Sequence, residues 1–245
     1  MAHMKVYFFD TETTGNMPTD RLCQLAIKER GIDEPLINEY FNPGMPIPFE
    51  ASAVHHITNK MVAGKPLFKD AKDYQTVKEL FESADAYVVA HNAGFDVGML
   101  RAEGIEPTHV ICTLKVLRAL DGKKEFANHK LQYLRYALDM DINVPAHDAY
   151  ADVIVLEKLF EYLVDRLMKE NALSEEAVYA KMEEISSQPS ILSDFGFGKH
   201  KGKSVAEVAQ SDPGYLSWLL AEKEKNPSGE EDWIYTLKKH LGLVQ

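Results

Sequence analysis

The chain has 245 residues, and 38 acidic against 27 basic side chains give it a net charge of −11 with histidine neutral. That length suits one large domain, or one domain with a small appendage. The 45% hydrophobic and 27% charged residues are typical of a globular protein and argue against a disordered one. No apolar run approaches the roughly 18 residues of a membrane-spanning helix, and two cysteines cannot build a disulfide framework, so we expect a cytoplasmic protein without a membrane span.

The hydrophobic pattern predicts strands early in the chain and an alternation of strands and helices later. Buried-type strands are predicted at 5–12, 22–27, 36–41, 86–90 and 110–112. Helical spacing predicts helices at 73–84 and 95–102, another around Leu131, Leu134 and Leu138, and a long one from Asp148. This order predicts an α/β protein with a mixed sheet and helices packed on it.

The composition changes towards the carboxyl end. After a main domain at 4–170, residues 171–189 are polar around one amphipathic helix at 175–185, and we interpret them as a helical connection. Residues 190–245 are nearly neutral and are predicted as a small C-terminal module, a candidate for DNA binding. A basic, glycine-rich loop at 195–203 opens this module.

Acidic side chains stand at the ends of three predicted elements. Asp10 and Glu12 are two residues apart at the end of the first strand, so they point to the same face of the sheet. Asp96 opens the helix after the fourth strand, and Asp152 lies one turn into the long helix, of which Asp148 is the predicted N-cap. Each acid alone is more often a surface or capping residue. Together they give four carboxylates that a mixed sheet can bring together.

Such a set predicts a metal site, because oxygen ligands suit Mg²⁺ or Mn²⁺ rather than Zn²⁺. Two ions about 3.5–4 Å apart can clamp the attacking water and the leaving 3′ oxygen of a phosphodiester. The water also needs a base. His147 stands just before the long helix, and a neutral imidazole with a pKa of about 6.5 can accept its proton near neutral pH.

Residues 9–15 (Phe-Asp-Thr-Glu-Thr-Thr-Gly), residues 91–96 (His-Asn-Ala-Gly-Phe-Asp) and the pair of His147 and Asp152 resemble the three motifs of the DEDDh superfamily of 3′→5′ exonucleases, in the same order. The resemblance implies a ribonuclease H-like fold with a five-stranded mixed sheet flanked by helices. It implies a general base at His147 and two Mg²⁺ ions, for which Mn²⁺ can substitute. Their ligands would be Asp10, Glu12, Asp96 and Asp152.

The same resemblance implies contacts with the terminal nucleotide and support of the metal loop. It assigns these roles to Thr13, Thr14, His55, Ile57, Asn92 and Phe95. Residues 54–58 (Val-His-His-Ile-Thr) resemble the family's Val-His-Gly-Ile-Thr segment, with His56 in place of glycine. That substitution leaves the shape of the loop open.

Residues 197–205 and 212–219 resemble the C-terminal module of the exodeoxyribonuclease X family. The loop of this module carries Lys199, Lys201 and Lys203. These lysines either hold DNA phosphates, with Phe197 as a stacking face, or form a solvated turn over a small apolar core, and we weight the two interpretations evenly. For Trp218 and Leu219 we favour the core.

We therefore expect a metal-dependent 3′→5′ exonuclease that acts on DNA with a free 3′ end, releases nucleoside 5′-monophosphates and serves DNA repair. An exoribonuclease of the same family stays open, because the sequence alone does not settle the choice of sugar. A module that holds DNA ends without cutting is a third hypothesis. The five filled motif positions argue against it.

Overall fold

The structure of the protein is a computed structural model that describes residues 4–16, 19–122, 125–142, 148–227 and 229–244. The chain divides into two units, Met1–Ser186 and Ser187–Gln245. In the described ranges, no helix combines the length and the apolar character that crossing a membrane requires.

A five-stranded sheet is the centre of the first unit. Its strands are β1 (Lys5–Thr13), β2 (Leu22–Glu29), β3 (Ile37–Tyr40), β4 (Ala86–Ala90) and β5 (Val110–Cys112). They lie in the order β3-β2-β1-β4-β5, with β2 antiparallel to both neighbours and β1, β4 and β5 parallel. The predicted mixed sheet and its five strands are confirmed.

Helices follow the strands on both sides of this sheet. In chain order they are α1 (Phe49–His55), α2 (Asn59–Val62), α3 (Tyr74–Phe81), α4 (Gly94–Ala102), α5 (Thr113–Leu120), α6 (Leu131–Ala137), α7 (Ala149–Asn171) and α8 (Glu175–Ser187). The predicted helices correspond to α3, α4, α6, α7 and α8. The helices α1, α2 and α5 were not predicted.

Strand β1 is buried on both faces, which explains its continuous hydrophobic run. Phe8 faces α7 and meets Phe160 edge to face, with 5.2 Å between the ring centroids. Phe9 faces the opposite side and meets Phe81 of α3 in the same way at 4.9 Å. Because side chains alternate along a strand, even-numbered residues of β1 face α7 and odd-numbered residues face α3 and α4.

Helix α7 covers one face of the sheet with the predicted apolar stripe. Every residue of that stripe is buried: Val153, Leu156, Phe160, Leu163, Val164 and Leu167. Two ion pairs fasten α7 to the end of β2. Lys28 Nζ lies 2.6 Å from Glu157 Oε2, and Arg30 Nε lies 2.6 Å from Glu161 Oε1.

Helix α8 packs against the same core as α7. Its buried side chains are Val178, Tyr179 and Met182. Arg30 Nη1 also lies 2.7 Å from Glu175 Oε1 at the start of α8. The helix that we predicted within a connection is therefore packed as part of the first unit.

The second unit begins with a hairpin, residues 195–203, which we call the basic hairpin. The N–H of Phe195 donates to the carbonyl of Lys203 at 2.9 Å, and the N–H of Gly202 donates to the carbonyl of Phe195 at 2.8 Å. Gly198 has φ 68°, and a Cβ there would lie 2.8 Å from the Tyr215 hydroxyl, so this position requires glycine.

Three helices follow the basic hairpin in the described residues: α9 (Val205–Ser211), α10 (Pro213–Lys225) and α11 (Glu231–His240). Leu216, Leu219 and Leu220 of α10 join Phe195 in the core of this unit, as predicted for Leu219. The prediction for Trp218 was wrong, because its side chain is 55% exposed. Helical spacing places it on the face opposite Leu216.

Candidate active site

Strand β1 carries two of the four predicted carboxylates at its carboxyl end. Asp10 and Glu12 share the parity of Phe8, so they lie on the sheet face that α7 covers. The ladder between β1 and β2 shifts register between Glu12 and Thr13. Bulges of this kind are frequent beside active sites, since they re-aim the side chains that follow.

Asp96 lies beside these two residues because α4 begins just after β4, the parallel neighbour of β1. Its side chain is buried, and Oδ1 accepts hydrogen bonds from the Thr11 N–H at 3.0 Å and the Thr11 hydroxyl at 2.6 Å. Thr11 was not among the predicted site residues. Its position between Asp10 and Glu12 was the available signal.

Helix α7 supplies the fourth carboxylate. Asp148 caps the helix as predicted, with its side chain accepting a backbone N–H of the first turn. Asp152 lies one turn further and accepts a hydrogen bond from the Gln132 amide of α6. Arg135 is also on α6, where it is buried, and it donates a hydrogen bond to the carbonyl of Ile142. Neither Gln132 nor Arg135 was predicted, because the sequence shows only an ordinary amphipathic helix there.

Burial and mutual repulsion raise the pKa values of these carboxyl groups. Burial, and then the charges of Asp96, Glu12 and Asp152, raise the pKa of Asp10 well above its usual range. Burial, and then the charges of Asp152, Asp96 and Asp148, raise the pKa of Glu12 to about 8. Burial raises the pKa of Asp96 to about 7, although the hydrogen bonds from Thr11 oppose this shift. Groups placed in this way are fully charged near neutral pH only if a cation compensates them.

The four carboxylates share one electrostatic neighbourhood without forming a closed ligand cage. Within the described parts of the chain, no group of three or more acidic, histidine or cysteine side chains stands close enough to hold an ion as it is. Asp96 and Asp152 direct a carboxylate oxygen to Thr11 and Gln132 instead. His147, the fifth predicted residue, lies outside the described residues.

Thr13 and Thr14 lie where the chain leaves β1 in a turn. The Thr13 hydroxyl donates to the carbonyl of Gly15 at 2.6 Å. The Thr14 hydroxyl donates to Asp20 Oδ1 at 2.8 Å and accepts the N–H of Arg21 at 3.0 Å. A Cβ on Gly15 would lie 2.6 Å from the Asp20 carboxylate, so a larger residue there would have to displace the Asp20 side chain. Both hydroxyls therefore stabilise the turn itself.

The loop after α1 adopts a glycine-like conformation at His56, the position where the family pattern has glycine. His56 has φ 62°, and its N–H donates to the carbonyl of Ser52 at 2.9 Å. The buried His55 ties the loop to β1, because its Nδ1 accepts the N–H of Ile57 at 3.0 Å and its Nε2 lies 3.2 Å from the carbonyl of Thr13. A non-glycine residue in this region costs about 1–2 kcal/mol.

The other predicted nucleotide contacts differ in accessibility. Asn92 is exposed in the turn between β4 and α4 with φ 66°, and its carbonyl accepts the N–H of Phe95 at 3.0 Å. Phe95 is half-buried. Ile57 is only 1% exposed and packs with Ile47 and Val62. Asn92 and Phe95 thus offer side-chain surface, whereas Ile57 belongs to a small core.

His91, at the start of the second motif, is held as a neutral imidazole. Its Nε2 donates to the carbonyl of His129 at 2.8 Å, since a carbonyl can only accept, and its Nδ1 lies 2.9 Å from the Thr113 hydroxyl. Burial lowers the pKa of His91 to about 4. The side chain therefore links β4 to the segment before α6 without carrying charge near neutral pH.

We expect His91 to make the wild-type protein lose stability in acid. The unfolded chain accepts a proton at a pKa of about 6.5, so the stabilising contribution is complete above that pH and declines as the pH falls towards 4. At pH 5 the loss relative to His91→Gln should be about 2 kcal/mol. Urea unfolding of both proteins at pH 7.5 and 5 measures it.

The buried carboxyl groups have raised pKa values and act in the opposite direction, becoming less destabilising as the pH falls. They are present in both proteins and cancel in the difference. Identical pH dependence of wild type and variant would contradict the role of His91.

His56→Gly should raise the free energy of unfolding by about 1 kcal/mol, because glycine removes the left-handed strain but adds freedom to the unfolded chain. His56→Ala, which keeps the strain, is the matched control and should show no gain. Urea unfolding at one pH separates the two variants. A glycine variant that is less stable than the alanine variant would disprove the strain.

The chain matches two family models. Residues 7–160 match the family described as Exonuclease, and residues 195–224 match the one described as Exodeoxyribonuclease X-like C-terminal. The chain is 33% identical over 239 residues to Exodeoxyribonuclease 10 of Escherichia coli (strain K12), covering 95% of this chain and 96% of that protein. It is 29% identical over 205 residues to the DNA polymerase III subunit epsilon of Buchnera aphidicola subsp. Acyrthosiphon pisum (strain APS), covering 74% and 83%.

Solved structures show the same fold. Exonuclease X in complex with 5′ overhanging duplex DNA is 25% identical, with a TM-score of 0.57 over 74% of this chain and 99% of that one. Exonuclease I of E. coli in complex with a dT13 oligonucleotide is 18% identical, with a TM-score of 0.61 over 79% of this chain and 49% of that one. The second likeness concerns the fold alone.

Proposed function

The chain belongs to the exonuclease family, and we propose that it hydrolyses DNA from the 3′ end, releases nucleoside 5′-monophosphates and acts in DNA repair. The observation that carries this proposal is the group of buried, mutually repelling carboxyl groups at the end of β1. The similarity to an exodeoxyribonuclease over 95% of the chain supports DNA as the substrate. A cytoplasmic location is part of the proposal, and the buried, unpaired thiols of Cys23 and Cys112 support it.

The donor set fits divalent magnesium, with manganese as a substitute. All four candidate ligands are carboxylates, and the raised pKa values of Asp10, Glu12 and Asp96 indicate a site that lacks compensating positive charge. We assign two Mg²⁺ ions to Asp10, Glu12, Asp96 and Asp152. When bound, such ions activate a water molecule and stabilise the departing 3′ oxygen.

The chain's own residues hold this site and the substrate. Thr11 orients Asp96, and Gln132 orients Asp152. In the proposal His147 accepts the proton of the attacking water. Asn92 and Phe95, at the start of α4, and His55, beside Thr13, would contact the metal loop or the terminal nucleotide.

The test is a time course on 5′-labelled single-stranded DNA and RNA of one sequence, with Mg²⁺ and with a chelator. We expect a ladder that shortens DNA from the 3′ end only with the metal, and the Asp10→Asn protein controls for contaminating nuclease. Faster shortening of RNA would support the proposed hydrolysis but contradict DNA as the preferred substrate. Retained binding of 3′ ends without cleavage would contradict the proposed exonuclease activity.

Asp10→Asn should also stabilise the metal-free protein, because it removes a buried carboxyl group whose charged form is disfavoured by burial and by the neighbouring acids. A gain of ~1 kcal/mol corresponds to about 2–4 °C in Tm for a domain of this size. Mg²⁺ should then raise the Tm of wild type through binding to the folded state, and it should raise that of Asp10→Asn much less.

Asp85→Asn is the matched control, since Asp85 is an exposed aspartate just before β4 in the same unit. It should leave both the Tm and the response to Mg²⁺ unchanged. An equal Mg²⁺ response in wild type and Asp10→Asn would remove Asp10 from the proposed ligand set, whatever the activity assay shows.

A further inference from the structure

We propose that the second unit binds single-stranded DNA, with one base in a groove between Phe197 and Trp218 and phosphates on Lys201 and Lys203. The choice of DNA rests on the proposed function, whereas the site itself lies outside the carboxylate cluster. Nothing in the catalytic chemistry uses these residues. Three observations support the site: an exposed aromatic face, lysines without ion pairs beside it, and a rigid connection between the two.

The aromatic face is formed by side chains that the core of the unit leaves at the surface. Trp218 is 55% exposed and Phe197 is 38% exposed, and both line one groove of about 330 Å³. The chain's other tryptophan, Trp233, instead stacks on the buried Phe195 at 5.1 Å. An exposed tryptophan beside a second exposed ring offers a stacking face to an unpaired base.

The rim of the groove carries little uncompensated negative charge. Glu230 lies 2.5 Å from Lys223, whose Nζ is also 5.2 Å from the centre of the Phe197 ring. Glu222 pairs with Lys225. Both acids on the rim are therefore neutralised by a lysine, so they oppose a polyanion less than free carboxylates would.

The three lysines of the basic hairpin differ in whether they form an ion pair. Lys199 Nζ lies 2.7 Å from Asp212 Oδ2 and thereby fastens the basic hairpin to the start of α10. Among the described residues, Lys201 and Lys203 have no ion pair within 4.0 Å. Glu207, whose charge interacts with that of Lys203, already accepts a hydrogen bond from the Ser204 hydroxyl. Lys201 and Lys203 are therefore the ones left for phosphates.

A chain of contacts fixes the basic hairpin relative to the groove. Lys199 Nζ lies 6.0 Å from the centre of the Tyr215 ring, and the Tyr215 ring lies 5.5 Å from that of Trp218. The buried His200 donates from Nε2 to Asp212 at 3.0 Å and packs on Tyr215 at 4.7 Å. The hairpin and the aromatic face thus form one preorganised surface, which lowers the entropic cost of binding.

Single-stranded DNA can contact the lysines of the basic hairpin and the aromatic face of the groove at the same time. It presents a regular row of phosphates to the hairpin and an unpaired base to the groove, whereas the bases of a duplex stay stacked on each other. A site of this kind would bind internal nucleotides and would not require a free 3′ end.

The test uses the full chain and a fluorescent, closed circular single-stranded DNA in the presence of chelator, because a circle has no 3′ end for the nuclease site. Trp218→Ala should weaken binding at least fivefold, and Trp218→Phe should largely retain it, since phenylalanine still stacks. Binding of the circle should also quench tryptophan fluorescence in wild type, with the quench lost in Trp218→Phe.

Lys201→Ala with Lys203→Ala should weaken binding and lower the slope of log affinity against log salt by about 1.4, or 0.7 for each phosphate contact. The matched control removes two other lysines of the same unit, Lys238→Ala with Lys239→Ala on α11, which do not line the groove, and should leave the slope near that of wild type. None of the four lysines is buried, so folding is not at risk.

Equal effects of the two double variants, or unchanged binding by Trp218→Ala, would overturn the proposal. Equal competition by a closed circular duplex or by polyglutamate would also overturn it, because neither presents an unpaired base. The outcome is separable from the proposed function. A protein that cuts 3′ ends but ignores the circle refutes only the second site, and one that binds the circle without cutting refutes only the nuclease.

Discussion

The first unit is organised around a repulsion. Asp10 and Glu12 lie in the field of Asp96 and Asp152 at the end of a strand that is buried on both faces, so burial and the neighbouring charges both disfavour the charged forms of Asp10 and Glu12. No folding requirement calls for such an arrangement, and a protein retains it only where the surrounding structure supplies enough stability. Thr11 and Gln132 hold two of these carboxylates in place by donating hydrogen bonds to them.

The stability that offsets this repulsion comes from the opposite end of the sheet and from its middle. Phe8 and Phe9 each pack against a ring from a different layer, which fixes β1 from both sides. The ion pairs of Lys28 with Glu157 and Arg30 with Glu161 join α7 to the end of β2 that is distant from the carboxylates. Anchored there, α7 presents Asp152 at its other end, so positioning and catalysis use separate parts of one helix.

Much of the fold of the first unit could be predicted, because the sequence patterns that determine its strands and helices are local. Continuous apolar runs predicted the five strands, and the stripe and cap of α7 followed from helical spacing and Asp148. The contributions of Thr11 and Gln132 could not be predicted, since each depends on a partner from another element. The two short helices α1 and α2 have too few residues to show a period. Trp218 was misassigned because residue type was weighed above its position relative to the buried leucines of α10. The roles of His147 and of the nucleotide contacts stay predictions.

The two-sided burial of β1 also limits how this sequence can change. The apolar residues of β1 can be substituted as long as each side chain still packs against the facing layer. The number of residues between the start of the strand and Asp10 cannot change. Deleting one residue there would turn Asp10 and Glu12 to the side of α3 and α4 and bring Phe9 to the side of α7. Such a deletion would keep an aromatic ring on each face of the strand, but it would turn both acids away from Asp152 and into an apolar layer. A one-residue shift of β1 therefore disrupts the site more than a substitution of one apolar residue of the strand by another.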